Sequence, residues 1–343
     1  MTKVTMQVIA DVANVSRGTV DKVLNNRPGV SDTVREKVKK VAKDLKYKPN
    51  IIGKALASNH LPKTIGIIVA PDYNPFVKDI KAGIEDAREE ILDYGFNVDV
   101  RILNTLEVDE QIEVLDGFLE AKVDGIALFS IDSEEINNKV NAIVHSGIPV
   151  VTYNSDIENS KRKCFIGQNH YQGGIAACDL MTKILPDEGD VLIITSLLSL
   201  SCHKERIAGF KQGLEEFKTG LNIINILENR DEESLAFEYT LDMCTRHPSI
   251  KGIYVTGGGV SGVGEALKQL QKERKIRVVC HDLVDSTLSL VKEGVIDFTI
   301  GQDPYFQGYQ PIKVLFEFLI AGKNPENEFI RTRIDIRSRC NLA

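Results

Sequence analysis

The stretch "VSRGTVDKVLNNRPGVS" at residues 15–31 decides how the N-terminal part of this 343-residue chain folds. Ser16 precedes apolar residues at helical spacing, and Ser31 precedes a second such segment after Asn-Asn-Arg-Pro-Gly. Serine hydroxyls accept hydrogen bonds from the free N–H groups of a first helical turn, so both serines are typical N-caps. The stretch therefore predicts a helix after Ser16, a turn, and another helix from Ser31.

Three short amphipathic helices are predicted in this region. The first follows Thr5, the second follows Ser16 and the third starts at Ser31. Apolar residues recur three or four positions apart in each, as on the buried face of a helix. The predicted apolar stripes are Val8, Ile9, Val12 and Ala13; Val20, Val23 and Leu24; and Val34, Val38, Val41, Ala42 and Leu45.

The charge of the chain is unevenly distributed. Residues 1–62 hold twelve Lys and Arg and five Asp and Glu, a formal charge of +7, whereas the remaining residues carry −14. A basic head on an acidic body indicates a polyanionic partner for the head alone. Two short helices joined by a brief turn are typical of a helix-turn-helix, whose second helix lies in the DNA major groove. The alternative is a three-helix bundle with solubilising charges, but charge, caps and turn together favour DNA.

The second helix supplies the candidate base contacts. Arg17 can pair bidentately with a guanine, whereas Gly18 offers no side chain at a position that commonly contacts a base. Hydroxyls and helix N-termini would position the head on the phosphates of double-stranded DNA. The candidate DNA-contacting residues of the head are Thr5, Ser16, Arg17, Gly18, Thr19, Lys22, Asn25 and Ser31.

Beyond a linker bracketed by Pro49 and Pro62, short apolar runs alternate with helical stretches. Continuous β-branched runs separated by helices are typical of parallel sheets covered on both faces. This predicts an α/β fold in which an all-α head precedes two doubly wound lobes. The helix-free polar segment Ser155–Lys163 is expected to cross from one lobe to the other. The predicted strands are TIGIIVA, NVDVRIL, GIALFS, PVVTYN, CFIGQN, DVLIITS, NIINILE, GIYVTG, IRVVCHD and FTIGQ.

The cysteine, hydropathy and histidine patterns restrict the class of protein. The six cysteines are scattered without a CxxC pair, which is typical of reduced thiols in a cytosolic protein. No apolar run reaches the roughly 18 residues of a spanning helix and no signal peptide begins the chain, so we expect a cytoplasmic protein without a membrane partner. The six histidines form no HxxxH or HExxH pair, and we expect no metal site.

One motif points to an enzyme. Gly257, Gly259 and Gly262 spell GxGxxG between a strand and a helix, and Asp282 ends a strand 20 residues later, as in a dinucleotide site. The motif lies late in the chain rather than in a first βα turn, and no nucleophile or acid–base pair accompanies it. An NAD(P)-dependent or sugar-metabolising enzyme is therefore the alternative, and a binder without a cofactor is favoured.

Polar residues at the ends of the predicted strands indicate a ligand cleft. In open α/β sheets, ligands bind beyond the carboxyl ends of the strands. Carboxylates, amides and an arginine take hydrogen bonds from a hydroxyl-rich ligand, and an aromatic ring covers the apolar face of a sugar. The candidate ligand-binding residues are Asp72, Asn74, Phe76, Asn154, Arg206, Asp282 and Gln302.

The head resembles the DNA-binding head and hinge of the lactose-repressor (LacI) family of bacterial transcription regulators. The resemblance is carried by "VS..TV..VLN", "VS..VR..V" and "Y.PN" within residues 4–58. It implies that the linker forms a short helix on operator DNA, that Asn50 contacts DNA there, and that Leu56 from each of two subunits wedges into the minor groove.

The body is similar to the type I periplasmic-binding-protein fold that this family uses as its effector domain, through "NPF..DI..GIEDA", "FIGQN...GG..A" and "G.ID.TIGQDP...GY". Ser155 and Gly257 depart from the ribose-type pattern, which has an arginine and an Asn or Asp there. The resemblance implies a homodimeric, ligand-responsive repressor of a palindromic operator, controlled by a sugar or polyol and not an enzyme. The expected domains are 1–48, 49–62 and 63–343, with an N-lobe of 63–156 and 303–331 and a C-lobe of 157–302 and 332–343.

Overall fold

A computed structural model of the chain describes residues 6–24, 27–45, 62–185 and 188–342. The chain forms two compact units, a head of Met1–His60 with Ile320–Lys323 and a core of Leu61–Leu319 with Asn324–Ala343. Apart from Pro62, the predicted linker lies outside the described residues. Within the described ranges, no helix combines the length and apolar character needed to cross a membrane.

The head contains the three predicted helices, α1 (Met6–Ala13), α2 (Arg17–Leu24) and α3 (Asp32–Asp44). Their buried residues are Ile9, Ala10, Ala13, Val20, Val23, Val38 and Ala42. The predicted stripe of α1 is partly wrong, because Val8 and Val12 are 39% and 57% exposed and Ala10 is buried instead. The short α1 turns only one narrow face toward α2 and α3, and these two valines lie beside that face.

The first lobe of the core, the N-lobe, is built on a six-stranded parallel sheet in the order β11-β5-β4-β3-β1-β2. Its strands are β1 (Lys63–Val69), β2 (Phe96–Ile102), β3 (Gly125–Leu128), β4 (Val150–Tyr153), β5 (Phe165–Gly167) and β11 (Phe329–Arg331). The helices along this part of the chain are α4 (Val77–Leu92), α5 (Val108–Glu120) and α6 (Glu134–His145).

The second lobe, the C-lobe, has a six-stranded sheet in the order β12-β10-β9-β8-β6-β7. Its strands are β6 (Glu188–Thr195), β7 (Gly220–Glu228), β8 (Ile250–Val255), β9 (Arg277–His281), β10 (Phe298–Gly301) and β12 (Asp335–Arg337). Its helices are α7 (His170–Ile184), α8 (Ser201–Glu216), α9 (Glu233–Arg246), α10 (Val260–Gln269) and α11 (Asp285–Glu293), and α12 (Pro304–Ala321) follows β10. The strands are parallel except that β12 runs antiparallel to β10.

The two doubly wound lobes confirm the predicted fold class, and all ten predicted strands are present as β1–β10. The prediction that Ser155–Lys163 crosses between the lobes is wrong. This segment joins β4 to β5, which pair in the same sheet with Thr152 opposite Phe165. The first crossing lies after β5, so the N-lobe continues through Gly167 rather than ending at residue 156.

Three segments connect the lobes: the residues after β5, the residues after β10, and the link from β11 to β12. Gln168 lies on the first of them and is fully buried. Its Nε2 donates to the carbonyl oxygens of Gly301 and Arg333, both at 3.0 Å. One side chain therefore ties the three crossings together where the lobes hinge.

Candidate functional site

The turn between α1 and α2 is fixed by backbone geometry. Asn14 has a left-handed φ of 51°, and the Val15 N–H donates to the carbonyl oxygen of Ala10 at 3.0 Å. This is the Schellman pattern that ends a helix. Ser16 then begins α2, because its Oγ accepts a hydrogen bond from the Thr19 N–H at 3.0 Å. The cap predicted at Ser16 is confirmed.

The start of α2 presents exposed polar residues to solvent. Ser16, Arg17, Gly18 and Lys22 are exposed and Thr19 is partly buried. Ser31 is also exposed, but its side chain makes no cap bond to α3, so that predicted cap is wrong. The Asp32 carboxylate lies in the first turn of α3, where its negative charge interacts favourably with the partly positive N-terminus of the helix. The predicted DNA contacts Thr5, Asn25, Asn50 and Leu56 lie outside the described residues.

An ion pair supports the segment after α2. Arg27 Nη1 lies 3.1 Å from an Asp21 carboxylate oxygen, and Arg35 Nη2 donates to the Arg27 carbonyl oxygen at 3.0 Å. The acidic Asp21 on the otherwise basic α2 is thereby partly neutralised. Arg17 and Lys22 form no ion pair or hydrogen bond within the described part of the head, so their charges face solvent.

A cavity of about 40 Å³ lies between the lobes of the core. Six of the seven predicted ligand residues line it, namely Asn74, Phe76, Asn154, Arg206, Asp282 and Gln302. The seventh, Asp72, lies elsewhere: it is exposed and forms an ion pair with Lys81 at 3.0 Å. That prediction is wrong because the loop after β1 turns at Pro71, so Asn74 faces the cleft and Asp72 faces solvent.

A chain of polar side chains crosses the floor of the cavity. Gln302 Nε2 donates to an Asp282 carboxylate oxygen at 2.7 Å, and Asn154 Nδ2 donates to Gln307 Oε1 at 3.1 Å. Asn154 and Asp282 have left-handed φ values of 60° and 76°, a conformation that short polar side chains tolerate best. The strand ends thus turn these side chains into the cleft.

Arg206 is the side chain with unused hydrogen-bonding capacity. It projects from α8 and is 2% exposed. Its Nη1 donates to the Thr256 carbonyl oxygen at 2.6 Å, whereas Nε and Nη2 have no partner among the described residues. Buried donors without partners cost about 1–3 kcal/mol each, so their persistence beside a cavity indicates a polar ligand.

Asp231 was not predicted, yet it lines the cavity opposite the N-lobe. Asn74 Nδ2 donates to its Oδ2 at 3.0 Å, and the Gly258 N–H donates to its Oδ1 at 2.9 Å. Burial raises the pKa of Asp231, and burial likewise raises the pKa of Asp282 against the opposing effect of Arg206. The Asn74–Asp231 bond directly joins the two lobes.

Sequence reasoning also missed the residues that close the cavity. They include Tyr73, Leu106, Phe129, Leu200, Cys202 and His203. His203 lies three residues before Arg206 on α8, so helical spacing places both on one face and could have identified it. Loop side chains such as Tyr73 and Leu106 gave no comparable pattern.

Ser155, one of the two departures from the ribose-type pattern, does not line the cavity. Its buried Oγ lies 3.2 Å from Ser201 Oγ, which in turn accepts a hydrogen bond from the Asp156 N–H at 2.8 Å. Lys204 Nζ lies 2.7 Å from an Asp132 carboxylate oxygen nearby. These contacts hold α8 of the C-lobe against the strand ends of the N-lobe.

The GxGxxG loop is occupied by the chain's own side chains. A Cβ at Gly262 would overlap the carbonyl oxygen of Glu233, so this glycine lets α10 pack on α9. The Gly258 N–H donates to Asp231, and the Gly262 N–H donates to Glu233 Oε2 at 2.7 Å. Backbone donors that a pyrophosphate would need are therefore already bound to carboxylates, which argues against a dinucleotide site.

Residues 65–324 match the family model described as "Periplasmic binding protein domain", and residues 5–50 match that of "Bacterial regulatory proteins, lacI family". The chain belongs to the periplasmic-binding-protein family and carries a lacI-family head. This confirms the resemblance of both parts. The lacI-family head coincides with α1–α3, and the periplasmic-binding-protein domain coincides with the two lobes.

Individual relatives agree with this assignment. The ribose operon repressor of Haemophilus influenzae is 28% identical over 317 residues, which cover 90% of this chain and 82% of that protein. The HTH-type transcriptional repressor PurR of Vibrio parahaemolyticus is 30% identical over 232 residues, 66% of either chain. A solute-binding protein of Burkholderia graminis, solved in complex with D-arabinose, is 25% identical with a TM-score of 0.77, and the match covers 83% of this chain and 98% of that one.

Proposed function

We propose that the chain is a transcriptional repressor whose affinity for operator DNA is controlled by a neutral sugar or polyol in the interlobe cleft. The observation that carries the ligand assignment is Arg206, with two buried donor nitrogens that lack partners beside a cavity lined by amides and carboxylates. The operator assignment is supported by the exposed Arg17 and Lys22 at the start of α2 and by repressors among the relatives.

Charge favours a neutral ligand over an anionic one. The charged residues that line the cavity are Arg206, Asp231 and Asp282, so the carboxylates outnumber the cation. The neighbouring opening of about 520 Å³ is lined by Glu107, Glu228 and Glu232 against a single Arg230. A sugar phosphate would meet repulsion at both places, whereas hydroxyls can use all of these groups.

The size of the cavity suggests how ligand and DNA are coupled. About 40 Å³ is far below the roughly 300–1,000 Å³ of sites for drug-sized molecules, so a sugar ring needs the lobes to move. Its hydroxyls would replace the interlobe bond from Asn74 to Asp231 and change the angle between the lobes. We propose that two copies of the chain bind two half-sites about 34–36 Å apart, and that this angle sets their spacing.

The proposal is tested with the full chain and a panel of D-ribose, D-arabinose, D-xylose, D-glucose, myo-inositol and ribose 5-phosphate. We expect at least one neutral member to raise the melting temperature and to change the affinity for DNA from the chain's own promoter region, because a ligand stabilises the state it binds. Ribose 5-phosphate should do neither. Sedimentation of the protein–DNA complex should give two copies of the chain per operator.

A matched pair of variants localises the effect. Asp282→Asn removes a cleft carboxylate, and we expect it to weaken binding of the active sugar about tenfold or more, the value of a charged hydrogen bond. Asp72→Asn makes the same chemical change outside the cavity and should bind as the wild type does. Turnover of any panel sugar, or failure of the wild type to bind its promoter DNA at low ionic strength, would contradict the proposal.

A further inference from the structure

Gly257 and His203 fit each other at the side of the cleft. His203 is 5% exposed and lines the cavity from α8, and Gly257, which follows β8 in the same lobe, also lines it. A Cβ at Gly257 would overlap the Cε1 atom of the His203 ring and would lie 3.3 Å from each of its nitrogens. The glycine therefore makes room for the imidazole, which lies at the edge where the ribose-type pattern has an Asn or Asp side chain.

Hydrogen bonds assign the position of the single proton on this imidazole. The Thr256 hydroxyl donates to Thr195 Oγ1 at 2.6 Å. Thr256 Oγ1 also lies 3.1 Å from His203 Nδ1, and it has already used its proton, so it accepts from Nδ1–H. Burial and the nearby Arg206 lower the pKa of His203 to about 3, which keeps the ring neutral at physiological pH. In the neutral ring, Nε2 then carries a lone pair.

Nε2 is available to a ligand. Within the described residues it makes no hydrogen bond, and the ring lies on the cavity wall together with Arg206. Arg206 Nε and Nη2 are unpartnered donors. The hydrogen bond of the His203 ring within the described residues is made by Nδ1, which leaves Nε2 as an acceptor for a ligand. A hydroxyl group both donates and accepts, so this pair of residues matches one side of a polyol.

We propose that His203 is a specificity-determining residue of the cleft, whose Nε2 accepts a hydrogen bond from one ligand hydroxyl while Arg206 donates to ligand oxygens. This inference rests on the proposed sugar or polyol ligand. It adds that the site selects ligands with a hydroxyl group placed to donate to His203 Nε2. A sugar without that hydroxyl would leave Nε2 buried and unpaired, which is how sites built to bind a hydroxyl reject deoxy analogues.

The first experiment is a thermodynamic cycle that combines variants of His203 with derivatives of the ligand that each lack one hydroxyl. Affinities of the full chain are measured by calorimetry for the panel sugar that binds and for its monodeoxy derivatives. The wild type should discriminate at least about tenfold against one derivative, the value of one hydrogen bond of about 1.4 kcal/mol. His203→Leu should bind this pair of sugars within about threefold of each other, and His203→Gln, which keeps an acceptor, should recover part of the discrimination.

The outcomes separate this inference from the proposed function. If the wild type binds a sugar and His203→Leu keeps the full discrimination, His203 only fills space and the inference is overturned. If the wild type binds no panel sugar, the proposed function fails and the hydroxyl-acceptor role fails with it. If His203→Leu loses part of the discrimination against several monodeoxy derivatives, and no single derivative dominates, His203 does not act as the acceptor for one hydroxyl, and the inference is also contradicted.

Two further measurements do not depend on a folded His203→Leu variant. Nitrogen-15 spectra of the histidine rings in the wild-type chain at pH 7 should show His203 protonated at Nδ1, and protonation at Nε2 would overturn the inference. Gly257→Ala should lower the melting temperature, because its Cβ overlaps the imidazole. The double variant His203→Ala, Gly257→Ala should lose no more stability than His203→Ala alone; an added loss would show that Gly257 does not serve this ring.

Discussion

The head and the cleft satisfy their polar side chains in opposite ways. In the head, Arg17 and Lys22 are exposed and have no partner among the described residues. In the cleft, Asn154 and Gln302 are 8% and 3% exposed and form hydrogen bonds with their neighbours. Exposed charges remain available to a highly charged partner such as DNA. Buried polar groups need hydrogen-bond partners, and those that the protein does not pair can be paired by a ligand.

Because of this difference, substitutions in the cleft should affect folding and ligand binding more strongly than substitutions on the exposed surface of the head. A substitution at the exposed surface of α2 changes contacts with DNA and leaves folding nearly unaltered. A substitution in the cleft changes a connected network, and the same bonds that hold the lobes together compete with the ligand. Asn74–Asp231 is the clearest case, because it joins the lobes and both residues line the cavity.

The largest expected effect is a loss of core stability at mildly acidic pH. His170, His203 and His281 are buried and neutral, because burial and Arg206 lower their pKa values, to about 3 for His203. The unfolded chain binds protons near pH 6.5 and the folded core does not, so stability falls as the pH drops below 6.5. Between pH 6.5 and pH 5, His203 alone contributes a loss of about 2 kcal/mol.

Urea unfolding measured at several pH values tests this prediction. Because residues 6–45 of the head contain no histidine, a histidine-dependent change in stability there is not expected, and the change reports on the core. Burial raises the pKa of Asp231 and Asp282, so those groups oppose the trend below their folded pKa values. His203→Gln should reduce proton uptake on unfolding by about one at pH 5. Equal proton uptake on unfolding in the wild type and in His203→Gln at pH 5 would show that His203 is not held neutral, whatever the two aspartates contribute.

The next effect separates ligand binding from folding within the cleft. Arg206→Met removes two donors intended for the ligand, and we expect affinity for the active sugar to fall at least about hundredfold. Stability should change by less than about 1 kcal/mol, because the lost bond to Thr256 is offset by relief of the unpaired donors. Calorimetry and urea unfolding measure the two quantities. Lys211→Met, on the exposed surface of the same helix, should alter neither.

Much of the core could be predicted because its strands are continuous β-branched runs. Ten strands stood out in this way, whereas β11 and β12 are three residues each and carry exposed or charged positions. The error at Ser155–Lys163 has a different cause. A polar segment without helical periodicity can cross between lobes or join neighbouring strands, and only the pairing of Thr152 with Phe165 distinguishes the two.

The cleft was predictable where a residue ends a strand and less so elsewhere. Asn154, Asp282 and Gln302 follow β4, β9 and β10, and the topology alone brings those ends together. Asp231 lies in a loop after β7, with left-handed φ values at Arg230 and Asp231 that local sequence does not specify. The glycines of the GxGxxG loop suggested a phosphate, yet their spacing serves helix packing and the imidazole of His203.

On the head, the largest effect is expected at Arg17. Arg17→Ala should weaken operator binding by about 1–3 kcal/mol at one base pair and leave unfolding unchanged, because the side chain is exposed. Binding to a set of single-base operator variants measures this: the wild type distinguishes the bases at that position and the variant does not. An equal loss on all operators would show that Arg17 contacts phosphate only.

The smallest effect concerns the cap that begins α2. Ser16 Oγ accepts from the Thr19 N–H at 3.0 Å and lies 2.9 Å from Thr19 Oγ1, so Ser16→Ala leaves a first-turn donor without its cap. We expect the head to lose about 1 kcal/mol of stability, measured by amide exchange in α2, while exchange in the core strands is unchanged. Ser31→Ala is the matched control, because the Ser31 side chain makes no cap bond and its loss should cost less than about 0.5 kcal/mol. Equal losses in the two variants would mean that the head is stabilised by its apolar contacts alone and that the hydroxyl of Ser16 is free to contact DNA.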